Sequence, residues 1–314
     1  MSFEHGLKTI VVATDLEGQA EAALEYACKL ATNYGARIVL AHGLDPMEYA
    51  AVDALPGSVA SHLTAEARKV LEKLAGDLLR EGIRSHTEVR QGAVAEMLVD
   101  VARQYEAGLI VIGTKGMEGA GPVVVGAIAE QLVRLAPCPV LAVAADWNAG
   151  PNRPTPGGPV LLAMERNDAA AAAAATAYSL AETFERPLLV LHVRTAAEAA
   201  ASMNPCVASL EDFGIELPTR GREAVRGGPG LLRGKAPVHC LVKDGNPADA
   251  VAEAIAENHP CILVAGVKRF SGTPGPHGTA FALLSSSRVP VLCVPPEVTR
   301  ASMEREAAIP VGTL

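Results

Sequence analysis

Three glycines at positions 113, 116 and 126, with Lys115 between the first two, are the residues best placed to do chemistry. Glycine lets backbone N–H groups approach phosphate oxygens closely, and a helix starting near Ala127 would add its positive end. Lys115 would add a full charge. Gly113 closes the apolar run AGLIVIG, so the loop starts just beyond a buried strand. Ala13-Thr14-Asp15 ends a second such run, KTIVVATD, and His42-Gly43 ends a third, ARIVLAHG. Asp15 could accept hydrogen bonds from a ribose or an adenine amino group, or cap the helix that follows. The alternative for the glycine loop is a connection kept flexible for packing.

Other chemistries are poorly represented. There is no GxSxG elbow, no HExxH zinc motif and no intact Walker loop, since GPGLLRGKA at 228–236 lacks the correctly placed glycine and the final Ser or Thr. His42 and His192 recur at strand ends, where packing is the simpler reading. The six cysteines form no CxxC pair, and most read as small buried side chains, Cys138 and Cys293 among them. A committed enzyme is not expected, and no catalytic residue or metal ligand is assigned.

The elements that would hold these residues occur twice. KTIVVATD at 8–15 is answered by GPVLLAME at 158–165, and ARIVLAHG at 36–43 by RPLLVLHV at 186–193. Asp15 to His42 and Glu165 to His192 both span 27 positions, and Gly92 to Gly113 and Gly245 to Gly266 both span 21. Each half closes on a proline-flanked apolar run, CPVLAVAA at 138–145 and VPVLCVPP at 289–296. Such a repeat predicts two domains of one architecture.

Between the strands, apolar residues recur at helical spacing: Ala20, Ala23, Leu24, Ala27, Leu30 and Ala31; Leu63, Ala67, Val70, Leu71, Leu74 and Leu78; Val94, Met97, Leu98, Val101 and Ala102; and Ile128, Leu132 and Leu135. The alanine run 169–175 is the second half's counterpart of the first helix. Alternating strands and helices predict two tandem doubly wound α/β domains, each with a five-stranded parallel sheet and Rossmann-like. The expected boundaries are 1–147, a Pro/Gly-rich linker at 148–158, a second domain at 159–297 and a tail at 298–314. Residues 194–236, interrupted by Gly and Pro, are expected to form a loop or remodelled lid.

The chain has 314 residues, 49% hydrophobic, which suffices for two buried cores. Its 27 Lys+Arg against 35 Asp+Glu give a net charge of −8, so neither nucleic acid nor an anionic membrane is an expected partner. With no long apolar run and no charged-then-apolar leader at MSFEHGLKTI, the expected location is cytoplasmic.

Taken together, these residues resemble the universal stress protein family, and the whole chain resembles a tandem member over about residues 7–145 and 158–296. The family's phosphate signature is Gly, two residues, Gly, nine residues, Gly, then Ser or Thr, and Gly113, Gly116 and Gly126 keep that spacing. The resemblance implies an adenine nucleotide α-hydrolase-like fold and a first domain that binds ATP, or AMP or ADP, with Mg as a candidate companion. It places Ala13, Thr14, Asp15, Gly43, Ile112, Gly113, Lys115, Gly116, Gly126, Ala127 and Ile128 at the nucleotide. It also implies that the fifth strands pair as an intramolecular pseudo-dimer, with further homodimerisation and signalling proteins as partners.

The sequence departs from the pattern at several positions. Ala127 replaces the hydroxyl residue after the third glycine, Gly108 replaces an acidic residue, and Leu16-Glu17 replace a small polar turn. The second half keeps Gly266, Lys268 and Gly278-Thr279, but has Glu165 in place of the Asp, Val193 in place of Gly43 and Arg269 in place of the second glycine. The expectation is a stress-response regulatory protein with one nucleotide site in the first domain and a degenerate second domain. The alternatives are a nucleotide-independent interaction module and a slow ATPase.

Overall fold

The computed structural model describes residues 7–16, 20–46, 56–114, 126–147, 157–165, 167–194, 230–231, 236–268, 282–284 and 287–296. In the first half, β1 (Thr9–Ala13), α1 (Glu21–Tyr34), β2 (Arg37–Leu44), α2 (Pro56–Arg80), β3 (Ser85–Gln91), α3 (Val94–Gln104), β4 (Leu109–Thr114), α4 (Ala127–Leu135) and β5 (Val140–Ala144) alternate as the apolar runs predict. The second half has β6 (Val160–Met164), α5 (Ala170–Thr183), β7 (Leu188–Arg194), β8 (Gly230–Leu231), β9 (Pro237–Asp244), α6 (Pro247–Asn258), β10 (Ile262–Gly266) and β11 (Val291–Val294).

The strands form one sheet in the order β3-β2-β1-β4-β5-β11-β10-β6-β7-β9-β8. Each half is parallel apart from the short β8 at the outer edge of the second, and the halves meet where β5 and β11 run antiparallel, with Leu292 opposite Leu141 and Cys293 opposite Val140. Pairing the two closing strands removes an apolar edge from each sheet that would otherwise template association. In both halves the strand order reverses beside the first strand: β1 lies between β2 and β4, and β6 between β7 and β10.

Two apolar layers cover the sheet. One combines α1, α2 and α5 residues such as Ala27, Leu71 and Leu180 with Leu141 and Leu292; the other combines Leu98, Leu132 and Ala254 with Val140 and Cys293. Both layers therefore run through the seam. The alanine run supports this packing, because Ala170, Ala173, Ala174, Ala177 and Ala181 of α5 are buried and bring the helix close to the sheet.

Some expected core positions are not buried. Val70 is 40% exposed, and on α4 the buried stripe is Ala129, Leu132 and Val133 while Ile128 and Leu135 face outward. Ile128, Leu132 and Leu135 lie on one narrow stripe, but the helix is turned so that the face centred between Ala129, Leu132 and Val133 meets the core and only Leu132 is common to both. Within 194–236, β8 adds a short antiparallel strand to β9 that the sequence pattern does not announce. Cys240 is disulfide-bonded, so it is not one of the packed thiols. The linker at 148–156, most of 194–236 and the tail at 298–314 lie outside the described residues.

Candidate functional site

A cleft of about 460 Å³ lies at the carboxyl ends of β1, β2 and β4 in the first half, beside the reversal of strand order. Ligands of open parallel sheets bind in this position. Ala13, Thr14, Asp15, Gly43, Ile112, Gly113, Gly126 and Ile128 line it, so the strand ends singled out in the sequence converge on one space. Ala127 is exposed beside it as the first residue of α4, and Lys115 and Gly116 lie outside the described residues.

The local chain geometry holds the cleft open. His42 Nδ1 lies 2.7 Å from the Thr14 carbonyl oxygen, and Thr14 N–H donates to Ala41 O at 3.0 Å, which ties the end of β1 to that of β2. Leu16 has φ 65, in the left-handed region that a branched side chain avoids, and its N–H donates to Thr14 Oγ1 at 3.1 Å. That turn carries Asp15 toward the cleft. Helix α1 begins at Glu21 with Ala20, which has no polar side chain to cap with, as its N-cap.

At α4, Gly126 is the N-cap, a Cβ there would meet nothing within 4 Å, and no side chain among the described residues is recorded capping the first-turn N–H groups. Unpaired N–H groups at a helix start suit an anion. With Asp15 as acceptor and an enclosed volume in the usual range for small-molecule sites, the donor set fits a nucleotide. Ala127 offers no hydroxyl to it.

Gly43 has a packing role as well. A Cβ there would lie 2.8 Å from Met97 Cε and 3.0 Å from Val94 Cγ2, so α3 starts flush against the strand end. In the second half Val193 takes this place, and the repeat aligns Val94 with Pro247 and Met97 with Ala250. The bulk has moved from helix to strand. Gly108, the other departure, is packed by Leu7: a Cβ would lie 2.9 Å from Leu7 Cδ1. A carboxylate there would displace a buried leucine.

The second half's counterpart is organised differently. Lys268 Nζ pairs with Glu165 Oε1 at 2.6 Å, across the ends of β10 and β6. Asn167 Nδ2 donates to Gly266 O at 3.4 Å while its Oδ1 accepts from Ala169 N–H at 2.9 Å. A Cβ on Gly266 would meet Ala169 Cβ and Asn167 Oδ1 at 3.2 Å, so the β6–α5 turn lies directly on the glycine. Beside it, Arg194 and Asp244 form a bidentate pair at 2.8 and 2.7 Å. Gly278 and Thr279 lie outside the described residues.

Sequence reasoning missed His42 as part of the cleft, along with Ala20, Ala41, Val94, Leu98, Thr114 and Ala129. Recurrence of His42 and His192 was the available signal, but it does not separate packing from a site. Burial pushes the Cys138 and Cys293 thiols up to about 12, in keeping with packed side chains.

Two copies of a doubly wound α/β unit, joined edge to edge and carrying a cleft at the strand-order reversal, define the class: a tandem Rossmann-like protein. The family model for the universal stress protein family matches residues 6–144 and again 158–295. The chain belongs to the universal stress protein family, as a tandem member. It is 30% identical over 143 residues to a universal stress protein of Methanocaldococcus jannaschii, covering 45% of this chain and 84% of the relative. It is 29% identical over 192 residues to one of Mycolicibacterium smegmatis, covering 59% of this chain and 63% of the relative. A universal stress protein structure from Archaeoglobus fulgidus superposes with TM-score 0.70 at 17% identity, over 92% of this chain and 98% of that one, a likeness in fold.

Proposed function

We propose that this protein binds one adenine nucleotide per chain, ATP or else AMP or ADP, in the first-domain cleft, and that the bound state acts as a regulatory signal. The observation that carries this reading is the contrast between the repeats. The first has a cleft lined by Asp15, Gly113 and the open start of α4, whereas in the second the Glu165–Lys268 pair and the Asn167 turn lie on the equivalent strand ends.

A ligand that binds only the folded state stabilises it in proportion to the logarithm of its concentration over Kd. Nucleotide occupancy would thus shift the population that partners meet. The test is to denature freshly purified protein, identify released small molecules by mass and count them per chain. About one adenine nucleotide per chain supports the reading. A protein that is empty, and whose melting temperature ignores added ATP, overturns it in favour of an interaction module.

A further inference from the structure

A second cavity, of about 750 Å³, opens between the two repeats and shares no lining residue with the cleft. It lies where α1 faces the turns leading into β7 and β10, so it touches the amino ends of the second repeat's strands rather than the carboxyl ends. Tyr26, Leu30, Trp147 and Phe184 supply its apolar wall. Trp147 is 8% exposed, stands edge-on to Tyr26 with ring centroids 5.4 Å apart, and has Lys29 Nζ 4.7 Å over its ring.

The polar groups of this wall divide into those that are engaged and those that are not. The Tyr26 hydroxyl donates to Cys261 O at 3.3 Å, and Lys29 pairs with Glu25 at 2.7 Å. The Trp147 indole N–H is buried and has no acceptor among the described residues. It is closed to water as well, so it lies behind the wall and senses the packing of the ring without itself reaching the cavity. The Arg186 guanidinium rests against Gly157, within 3.2 Å of where a Cβ would stand, and makes no hydrogen bond or ion pair among the described residues. Of the two unengaged donors only the guanidinium is accessible, and a guanidinium at the edge of an apolar wall recognises a carboxylate. Glu81 and Glu185, the lining acids without an ion pair among the described residues, are exposed at the rim as Arg186 is, so water weakens their repulsion of an acid and the attraction of Arg186 alike, and the apolar wall must supply the rest.

We propose that this inter-repeat cavity binds a small organic acid, its carboxylate held by Arg186 and its apolar body packed against Tyr26, Leu30, Trp147 and Phe184. Gly157 permits the approach of Arg186, and ligand oxygens or body atoms seated on the wall change the surroundings of the Trp147 N–H. The site is independent of the nucleotide reading. It joins the two repeats, because α1 and Trp147 belong to the first and Phe184 and Arg186 to the second, with Gly157 in the linker between them.

Trp147 is the single tryptophan of the chain, so its fluorescence and its one indole N–H resonance report on this wall alone. The probe is 4-phenylbutyrate, whose ring does not absorb where indole is excited, compared with its neutral amide and with 4-phenylbutylamine. The expected result is a saturable change in Trp147 emission and a shift of the indole N–H resonance with the acid. Binding should be about ten- to a hundredfold weaker for Arg186→Ala and Arg186→Gln, as for loss of a charge-assisted bond. Arg186 is exposed, so at least one of these variants keeps the fold, as circular dichroism would show. No saturable response to the acid, equal binding of the amide or amine, or unchanged affinity in a folded Arg186 variant would each overturn the proposal.

Discussion

Lys268 Nζ stands 2.6 Å from Glu165 Oε1, so the one charge of the second repeat that matches Lys115 by position is neutralised by the residue that matches Asp15. The pair is partly solvated, with side chains 58% and 36% exposed. Its worth in stability is therefore small, at most about 1 kcal/mol. Glu165→Gln should change the urea midpoint little while freeing Lys268 for anions. Melting curves with and without phosphate would show this: a phosphate-dependent rise in Glu165→Gln that the parent lacks is expected, and identical curves would mean that the pair does not gate the site.

The exchange of bulk between Gly43 and Val193 gives a sharper prediction. Gly43→Val drives a side chain into Val94 and Met97, an overpacking that costs about 1–3 kcal/mol. Met97→Ala removes the obstacle, as Ala250 does opposite Val193, so the double variant should recover part of the loss. A double-mutant cycle in urea measures the coupling. Strictly additive losses would show that Met97 is not what Gly43 accommodates.

Much of this architecture was legible because the repeat fixes where strands end. Asp15, Gly43 and Gly113 each close an apolar run, and the structure brings those ends around one cleft. Contacts between distant segments were not legible. Nothing in the local pattern marks Asn167 as the residue that lies on Gly266, or Trp147 as a wall shared by both repeats, since each depends on the sheet first being assembled. Ile128 carries both signals: it keeps helical spacing with Leu132, yet it lines the cleft, where the family resemblance places it, and not the core. Amphipathic periodicity says that a residue is apolar on one side of a helix and does not say what that side meets.

Ala127 is the departure that bears most directly on nucleotide affinity. As the first residue of α4, it is placed where a hydroxyl could donate to an anion at the helix start. Ala127→Ser should tighten nucleotide binding by up to about tenfold, the equivalent of one added hydrogen bond of about 0.5–1.5 kcal/mol. Isothermal titration of both proteins measures it. No change in affinity would place the phosphates away from the α4 start.

At the outer edge of the first repeat, Tyr105 Oη donates to Glu88 Oε1 at 2.6 Å, and Arg90 Nε lies 3.2 Å from Glu88 Oε2. Burial alone would raise the Glu88 carboxyl, but the bonds from Tyr105 and Arg90 outweigh it and hold the group below its ordinary value. Burial and the same carboxylate push Tyr105 up to about 12. The signs then differ at the two ends of the scale. Glu88 contributes stability above its unfolded value, lost as pH falls through its lowered folded value. Tyr105 contributes stability below pH about 10, lost as pH rises toward about 12. Tyr105→Phe should cost about 1 kcal/mol near neutrality and flatten both limbs of the stability–pH curve. Limbs unchanged by the substitution would locate the titration elsewhere.

The seam determines whether the two repeats unfold separately. Leu141 and Leu292 face each other across β5 and β11, both fully buried, in an apolar layer that also contains Leu71 of the first repeat and Leu180 of the second. Because that layer is continuous, loss of either repeat would expose the seam residues of the other. Unfolding should therefore be one cooperative transition, with equal calorimetric and van't Hoff enthalpies. Leu141→Ala leaves a cavity that the paired strands cannot easily close and should cost about 2–5 kcal/mol. Its effect should reach both halves: amide hydrogen exchange should speed up in β10 and β6 as well as in β4 and β1, the strands beyond the seam on either side. Two separate calorimetric peaks in the parent, or exchange that accelerates only in the first repeat of the variant, would show instead that the shared sheet joins two independently stable units.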